Sequence, residues 1–240
     1  MHERAADPAR RAIGEVIGVT AAVTGLVTLA SMRLVPERYV ATFVGFVFLL
    51  ATWILVWRKD DGRVVAFGVS LGGLVVPGAG RPGEIVRHAA RAVGWAALAC
   101  AVTFVPFFFG WRAWWRPTMH FSLRIPWYEL GNEALGQLVI IALPEEAFYR
   151  GYVHSRLDQA MAPRVRVLGA EVGWAIVITS VLFALGHFAT IREPARLAVF
   201  FPSLLFGWLR ARTGGVGASV VFHAACNVFS ELLGRGYGAY

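Results

Sequence analysis

Seven stretches of the chain are almost wholly apolar: 13–32, 39–57, 92–111, 130–152, 172–190, 196–210 and 215–233. Crossing about 30 Å of hydrocarbon takes about 20 helical residues, so each reads as a membrane helix, with 196–210 short for a full span. An eighth stretch, "VVAFGVSLGGLVVPG" at 64–78, is apolar but short and glycine-containing. It reads as an interfacial or re-entrant segment, because irregular backbone at membrane depth survives only where protein covers it. Counting it as a span would reverse the side of everything downstream. The first run follows a basic start, as in a cleaved leader, but it has spanning length and no clear small-x-small site. It is expected to be the first membrane helix.

Composition agrees with the pattern. The chain is 57% hydrophobic and 16% charged with a mean hydropathy of +0.58, against roughly 45–50% and 25% in soluble domains. The expected fold class is all-α, a polytopic membrane bundle of about seven transmembrane helices. It is read as one integrated domain, with N-terminal helices, the interfacial segment and loops in 1–127 and a helical core in 128–240. The net charge of +8 is almost all arginine, Lys59 being the lone lysine. Segments 1–12, 58–91, 150–171 and 210–213 hold 15 of the 23 basic residues. That bias assigns them, and the N-terminus, to the cytoplasmic side, with Arg150 discounted if it lies within the membrane. Basic loops account for the charge, so nucleic acid is not an expected partner. Arginine- and alanine-rich usage suggests a bacterial inner membrane. The aromatic stretches "FFGWRAWWRP" and "IPWYEL" read as an interfacial belt. Cys100 and Cys226 lie in apolar runs without metal or CxxC spacing and read as packing residues.

Against this background a few polar side chains stand out. An ionisable group near the bilayer centre costs about 2.5–3.5 kcal/mol on insertion scales, so each is a functional candidate. Glu145, Glu146 and Arg150 interrupt the fourth span, His187 follows Phe183 in the fifth, and His223 with Asn227 occupies the last. Glu146 and Arg150 are four apart and can pair on one helix face, while Glu145 is turned about 100° away. His223 and Asn227 share a face, and His187 must meet them from another helix. Singly, these are an ion pair, a satisfied core histidine and a helix-joining hydrogen bond. Together they suit activating water and stabilising an oxyanion.

The ordered motifs EExxxR in "PEEAFYRG", FxxxH in "FALGH" and HxxxN in "HAACN" resemble the signature of the CPBP intramembrane proteases, which include the Ras-converting CAAX prenyl protease and bacteriocin-processing or immunity proteins. The stretch "FFPSLLFGWLRARTGG" is similar to that family's glycine-containing helix and Arg-Thr-Gly turn, and the likeness covers about 128–233. It implies an intramembrane endopeptidase acting on a membrane-anchored protein or peptide at the bilayer. Glu145 would be the general base assisted by His187, His223 and Asn227 would stabilise the oxyanion, and Arg150 would hold the glutamate helix through Glu146. No cofactor is expected. If a metal were used, zinc on Glu145, His187 and His223 would be the set, although HExxH spacing is absent and asparagine is an unusual fourth partner. C-terminal processing, as in a myxosortase-like branch, is the expected substrate use. A proton-coupled transporter, a lipid binder or a non-catalytic immunity protein is the alternative. His2, His88, His120 and His154 read as surface or interfacial, and Glu129, Glu133 and Glu231 as interfacial, with Glu133 also a candidate for lining substrate entry.

Overall fold

The apolar runs become helices that end where proline, glycine or a polar cap dictates. The computed structural model of the chain describes residues 3–76, 80–123, 126–163 and 165–239. Helix α1 (Glu3–Leu29) continues through one wide turn, Ala30–Leu34. Pro36 disfavours helix at Val35, which is extended, and opens α2 (Glu37–Thr52, continued by Trp53–Trp57). Asp60 caps the short α3 (Asp61–Ala66), its carboxylate accepting from the Arg63 N–H at 2.8 Å. Helix α4 (Pro82–Trp115) starts with proline at its first turn. Helix α5 runs without a break over 127–160, alternating α segments with two π segments, Gln137–Ala142 and Ala147–His154. A two-stranded antiparallel hairpin, β1 (Val165–Val167) and β2 (Ala170–Val172), precedes α6 (Trp174–Thr190). A 3₁₀ turn (Pro194–Val199) leads into α7 (Phe200–Thr213), and α8 (Gly217–Gly236) completes the bundle.

Residues 9–32, 37–57 and 82–115 are each long and apolar enough to cross a bilayer. Helix α6 is apolar but only 17 residues long. Helices α5 and α8 carry the polar residues of the site, and α7 has 14 residues, which is why length and hydropathy mark them less clearly. The outer face of α4 is bare, with Val86, Val102, Val105 and Phe109 all more than 60% exposed. In water that would be an aggregation surface; in lipid it is the expected one.

The 64–78 segment does not span. Its described part comprises the end of α3, a 3₁₀ turn (Leu71–Gly73) and loop, while residues 77–78 lie outside the described residues. Phe67 and Val69 are buried, the Trp57 indole N–H donates to Val69 O at 3.1 Å, and the Val216 N–H donates to Gly68 O at 2.9 Å. Gly68 has φ +68°, and a Cβ there would meet the Arg210 side chain and Gly214 O within 3 Å. The segment is thus locked between α2, α5 and the α7–α8 turn. The parity of the seven expected helices is unchanged by it.

The N-terminal helices pack directly on α5. Glu15 accepts from the Tyr152 hydroxyl at 2.8 Å and from Arg156 Nη2 at 2.9 Å. Phe48 of α2 meets the rings of Phe148 and Tyr149 at 5.4 and 5.7 Å. Three sequence expectations need correction. His154 is buried, 3.2 Å from Asp158, because α5 extends past the expected span and buries that turn. Trp111 is buried against Tyr237 rather than facing lipid, whereas Trp114, Trp115 and Tyr128 are exposed as a belt requires. Glu133 pairs with Arg235 at 3.0 Å and is not among the residues lining the cavity at Glu145. His2 and Ile125 of the aromatic stretch lie outside the described residues.

Candidate active site

Full burial of an arginine and a glutamate is tolerable only if the two charges are paired and hydrogen-bonded, as most of their polar atoms are here, Glu146 Oε2 and Arg150 Nε being without a partner in the protein. Glu146 and Arg150 are both fully buried. The guanidinium donates to Glu146 Oε1 at 2.9 Å, to Ser203 Oγ at 2.5 Å and to Ser203 O at 3.1 Å. It also lies between two aromatic rings, 4.6 Å from the centroid of Phe183 and 4.9 Å from that of Phe206. One side chain therefore joins α5, α6 and α7.

Glu146 does more than pair with Arg150. His223 Nδ1 lies 2.9 Å from the same Oε1, and an ionised carboxylate only accepts, so Nδ1 carries the hydrogen. The His223 ring is held further by stacking on Phe206, 4.8 Å between centroids with the planes 16° apart. His187 is fixed in parallel fashion, its Nδ1 3.1 Å from Phe183 O and its ring 4.4 Å from that of Phe183. A carbonyl also only accepts, so Nδ1 is again the donor. In the neutral rings both Nε2 atoms are then acceptors.

Both Nε2 atoms face Glu145. Its Oε2 lies 4.0 Å from His187 Nε2 and 3.9 Å from His223 Nε2, and it is buried without a hydrogen-bond partner in the protein. Three acceptors around one point, too far apart for direct hydrogen bonds, form a place where a molecule with two protons bridges them. The glutamates sit in a four-residue α segment between the two π segments of α5. Single-turn π insertions are rare and frequent at functional sites, because they re-aim side chains without breaking the helix.

Asn227 is placed differently from Glu145 and the histidines. Its amide donates to Gln137 Oε1 at 2.9 Å, which leaves its second N–H available one helical turn from His223. Gln137 was not singled out in the sequence, although an amide inside an apolar span was a readable signal. Ser203, Phe206 and Ser219, whose hydroxyl donates to Phe206 O at 2.7 Å, were also missed. Small hydroxyls and phenylalanines carry little signal in a membrane helix.

For zinc, the fit is poor. Among the described residues no group of three or more His, Cys, Asp or Glu is arranged to hold a metal ion. The Glu145–histidine separations also exceed the roughly 3.3 Å between neighbouring ligands on a tetrahedral zinc with 2.0–2.1 Å bonds.

Glu145 and His187 open onto a cavity of about 170 Å³. Its other walls come mostly from the N-terminal helices, Thr24 and Val27 of α1 and Val44 and Phe48 of α2 among them. Gly45 keeps that wall close, since a Cβ there would collide with Ile140 O of α5.

Comparison with known proteins gives a match to a family model. Residues 131–229, less than half of the chain, match the family model described as type II CAAX prenyl endopeptidase Rce1-like. No curated protein and no solved structure matches. The matched segment contains Glu145, Glu146, Arg150, His187, His223 and Asn227, the residues that carry the motif likeness. Within this helical, membrane-type bundle, residues 131–229 are thus similar to the type II CAAX prenyl endopeptidase Rce1-like family.

Proposed function

We propose that the protein is an intramembrane endopeptidase that hydrolyses a peptide bond of a membrane-anchored protein or peptide with water activated by Glu145. The observation that carries this reading is the convergence of His187 Nε2 and His223 Nε2 on the unpartnered, buried Glu145 Oε2. Glu145 takes a proton from water bridged to His187, and the resulting hydroxide attacks the scissile carbonyl. His223, held by Glu146, donates from Nε2 to the developing oxyanion when its ring is protonated. The free N–H of Asn227, oriented by Gln137, supplies a neutral donor beside it. Glu145 then returns the proton to the leaving amine. Arg150 holds Glu146 in place, so its part is positional. The step needs no metal, in keeping with the poor fit of the site to zinc. Processing near the C-terminus of a bacterial inner-membrane substrate, as in a sorting helix, is the use we favour.

The test is cleavage of a panel of lipid-anchored and single-span peptides by the purified protein in proteoliposomes. Glu145→Gln, His187→Ala and His223→Ala are expected to abolish cleavage while the protein still inserts, and 1,10-phenanthroline is expected to leave the wild type active. Retained cleavage by Glu145→Gln would overturn the proposal. Growth protection that survives Glu145→Gln would favour a non-catalytic immunity role instead.

A further inference from the structure

A second cavity, of about 370 Å³, shares no residue with the one at Glu145. Trp95 and Val102 of α4, Leu205 and Trp208 of α7, and Val167 and Leu168 of the β1–β2 hairpin line it, and every lining residue is apolar. Val102 and Leu168 are 66% and 83% exposed, so the cavity is a groove that opens outward, toward the lipid that the bare face of α4 requires. Arg212 marks one end of it. The residue follows Trp208 by one turn of α7, and its guanidinium lies over the ring of Trp95, 4.6 Å from the centroid. Its Nε is buried without a hydrogen-bond partner, and no carboxylate pairs with it among the described residues. The charges of the hairpin, Arg166 and Glu171, are cross-strand partners and offset each other. Arg212 is therefore an unbalanced cation at the end of an apolar slot.

The hairpin turn points to an occupant as well. Leu168 and Gly169 have φ of +46° and +81°, as in a primed two-residue turn, whose first central position favours asparagine, aspartate or glycine. A leucine there is strained. The strain holds a large apolar side chain at the mouth of the groove, where a polar residue would suit the turn better. The Trp208 indole N–H donates to Val167 O at 2.9 Å, and a Cβ at Gly169 would meet Arg212 Nε at 3.1 Å, so the turn is fixed against both the slot and its cation. We propose that this groove binds an anionic phospholipid, with one acyl chain in the slot and the lipid phosphate on Arg212. The guanidinium fork suits phosphate oxygens. The arginine bias assigns residues 210–213 to the cytoplasmic side, where basic positions between membrane helices meet anionic headgroups. Helix α7 offers Ser203 and Phe206 to Arg150 and His223, and Leu205 to the groove. The lipid thus backs a helix that holds the site, without taking part in hydrolysis.

Native mass spectrometry of the purified full chain in detergent tests this, titrated with phosphatidylglycerol or with phosphatidylcholine of identical acyl chains. The first phosphatidylglycerol is expected to bind about fivefold more tightly than the first phosphatidylcholine, the worth of one basic residue at a lipid headgroup. Arg212→Gln is expected to erase that preference and Arg212→Lys to keep part of it. Arg38→Gln, which removes the same charge from the exposed start of α2, is expected to leave it intact. Leu205→Trp, which fills the slot, is expected to weaken both lipids. Leu168→Asn suits the positive φ, and is expected to weaken both lipids without lowering Tm, an outcome that a purely structural turn would not give. Equal affinity for the two lipids, or a preference that persists in Arg212→Gln, overturns the proposal. So does displacement of phosphatidylglycerol by inorganic phosphate at equal concentration, since a free anion is then the ligand. A protein dimer that Leu205→Trp disrupts also overturns it, since a second copy then fills the groove.

Discussion

Glu146 Oε1 accepts from both Arg150 and His223, and the two contacts respond differently to substitution. Glu146→Gln removes the anion that orients His223 and is expected to lower kcat about 10²–10⁴-fold, the range for disabling a positioned acid–base partner, with a smaller change in KM. Arg150→Ala instead leaves Glu146 buried and unpaired. It is expected to cost about 3–5 kcal/mol, read as loss of folded protein in detergent denaturation. At this scale the sequence was partly legible. The Glu146–Arg150 pair followed from a four-residue spacing, and the isolated charges of Glu145, His187 and His223 marked them against an apolar background. The contacts of Arg150 with Ser203 and of Asn227 with Gln137 were not legible, because they join residues 53 and 90 positions apart. Helical periodicity says which face a residue occupies, not which helix faces it. The pairing of His223 with Glu146 was missed for the same reason, and Glu146 was given to Arg150 alone.

Between elements, the site depends on close approaches that glycine permits. A Cβ on Gly186, next to His187, would meet the Tyr149 hydroxyl at 2.8 Å. Gly186→Ala is therefore expected to separate α5 from α6 and cut activity, and Tyr149→Phe in the same chain to restore much of it, as a cleavage assay on the single and double variants would show. Gly151→Ala would strike Val69 Cγ1 and is expected to destabilise the protein by about 1–3 kcal/mol through overpacking, measured by unfolding. Helix existence was legible almost throughout, since apolar runs of spanning length have few alternatives. The shortness and glycine content of 64–78 correctly removed it from the list of spans. The π segments of α5 were not legible, because widening a turn by one residue leaves no trace in hydropathy. The burial of His154 was hidden likewise, because the visible edge of hydropathy lay at residue 152 while the helix runs to 160.

As a whole molecule, the bundle places the clustered polar residues on α5–α8 and encloses the cavity beside them with α1 and α2. The composition announced a membrane protein; it gave no role to the N-terminal half, because wall residues such as Val27 and Val44 look like any lipid-facing valine. Single cysteines placed at Asp61 and Gly169 are expected to react with a membrane-impermeant maleimide from the same side as each other, and one at Thr118 from the opposite side. The arginine bias assigns the first pair to the cytoplasm. Proteolysis centred on Glu145 is the claim on which the rest depends. Its most direct measurement compares the termini of membrane proteins, by mass spectrometry, in native-host cells carrying either the wild-type chain or Glu145→Gln at equal membrane abundance. The expected result is at least one new terminus that vanishes, with its uncut precursor accumulating, in the Glu145→Gln cells. Identical sets of termini in the two strains would contradict it.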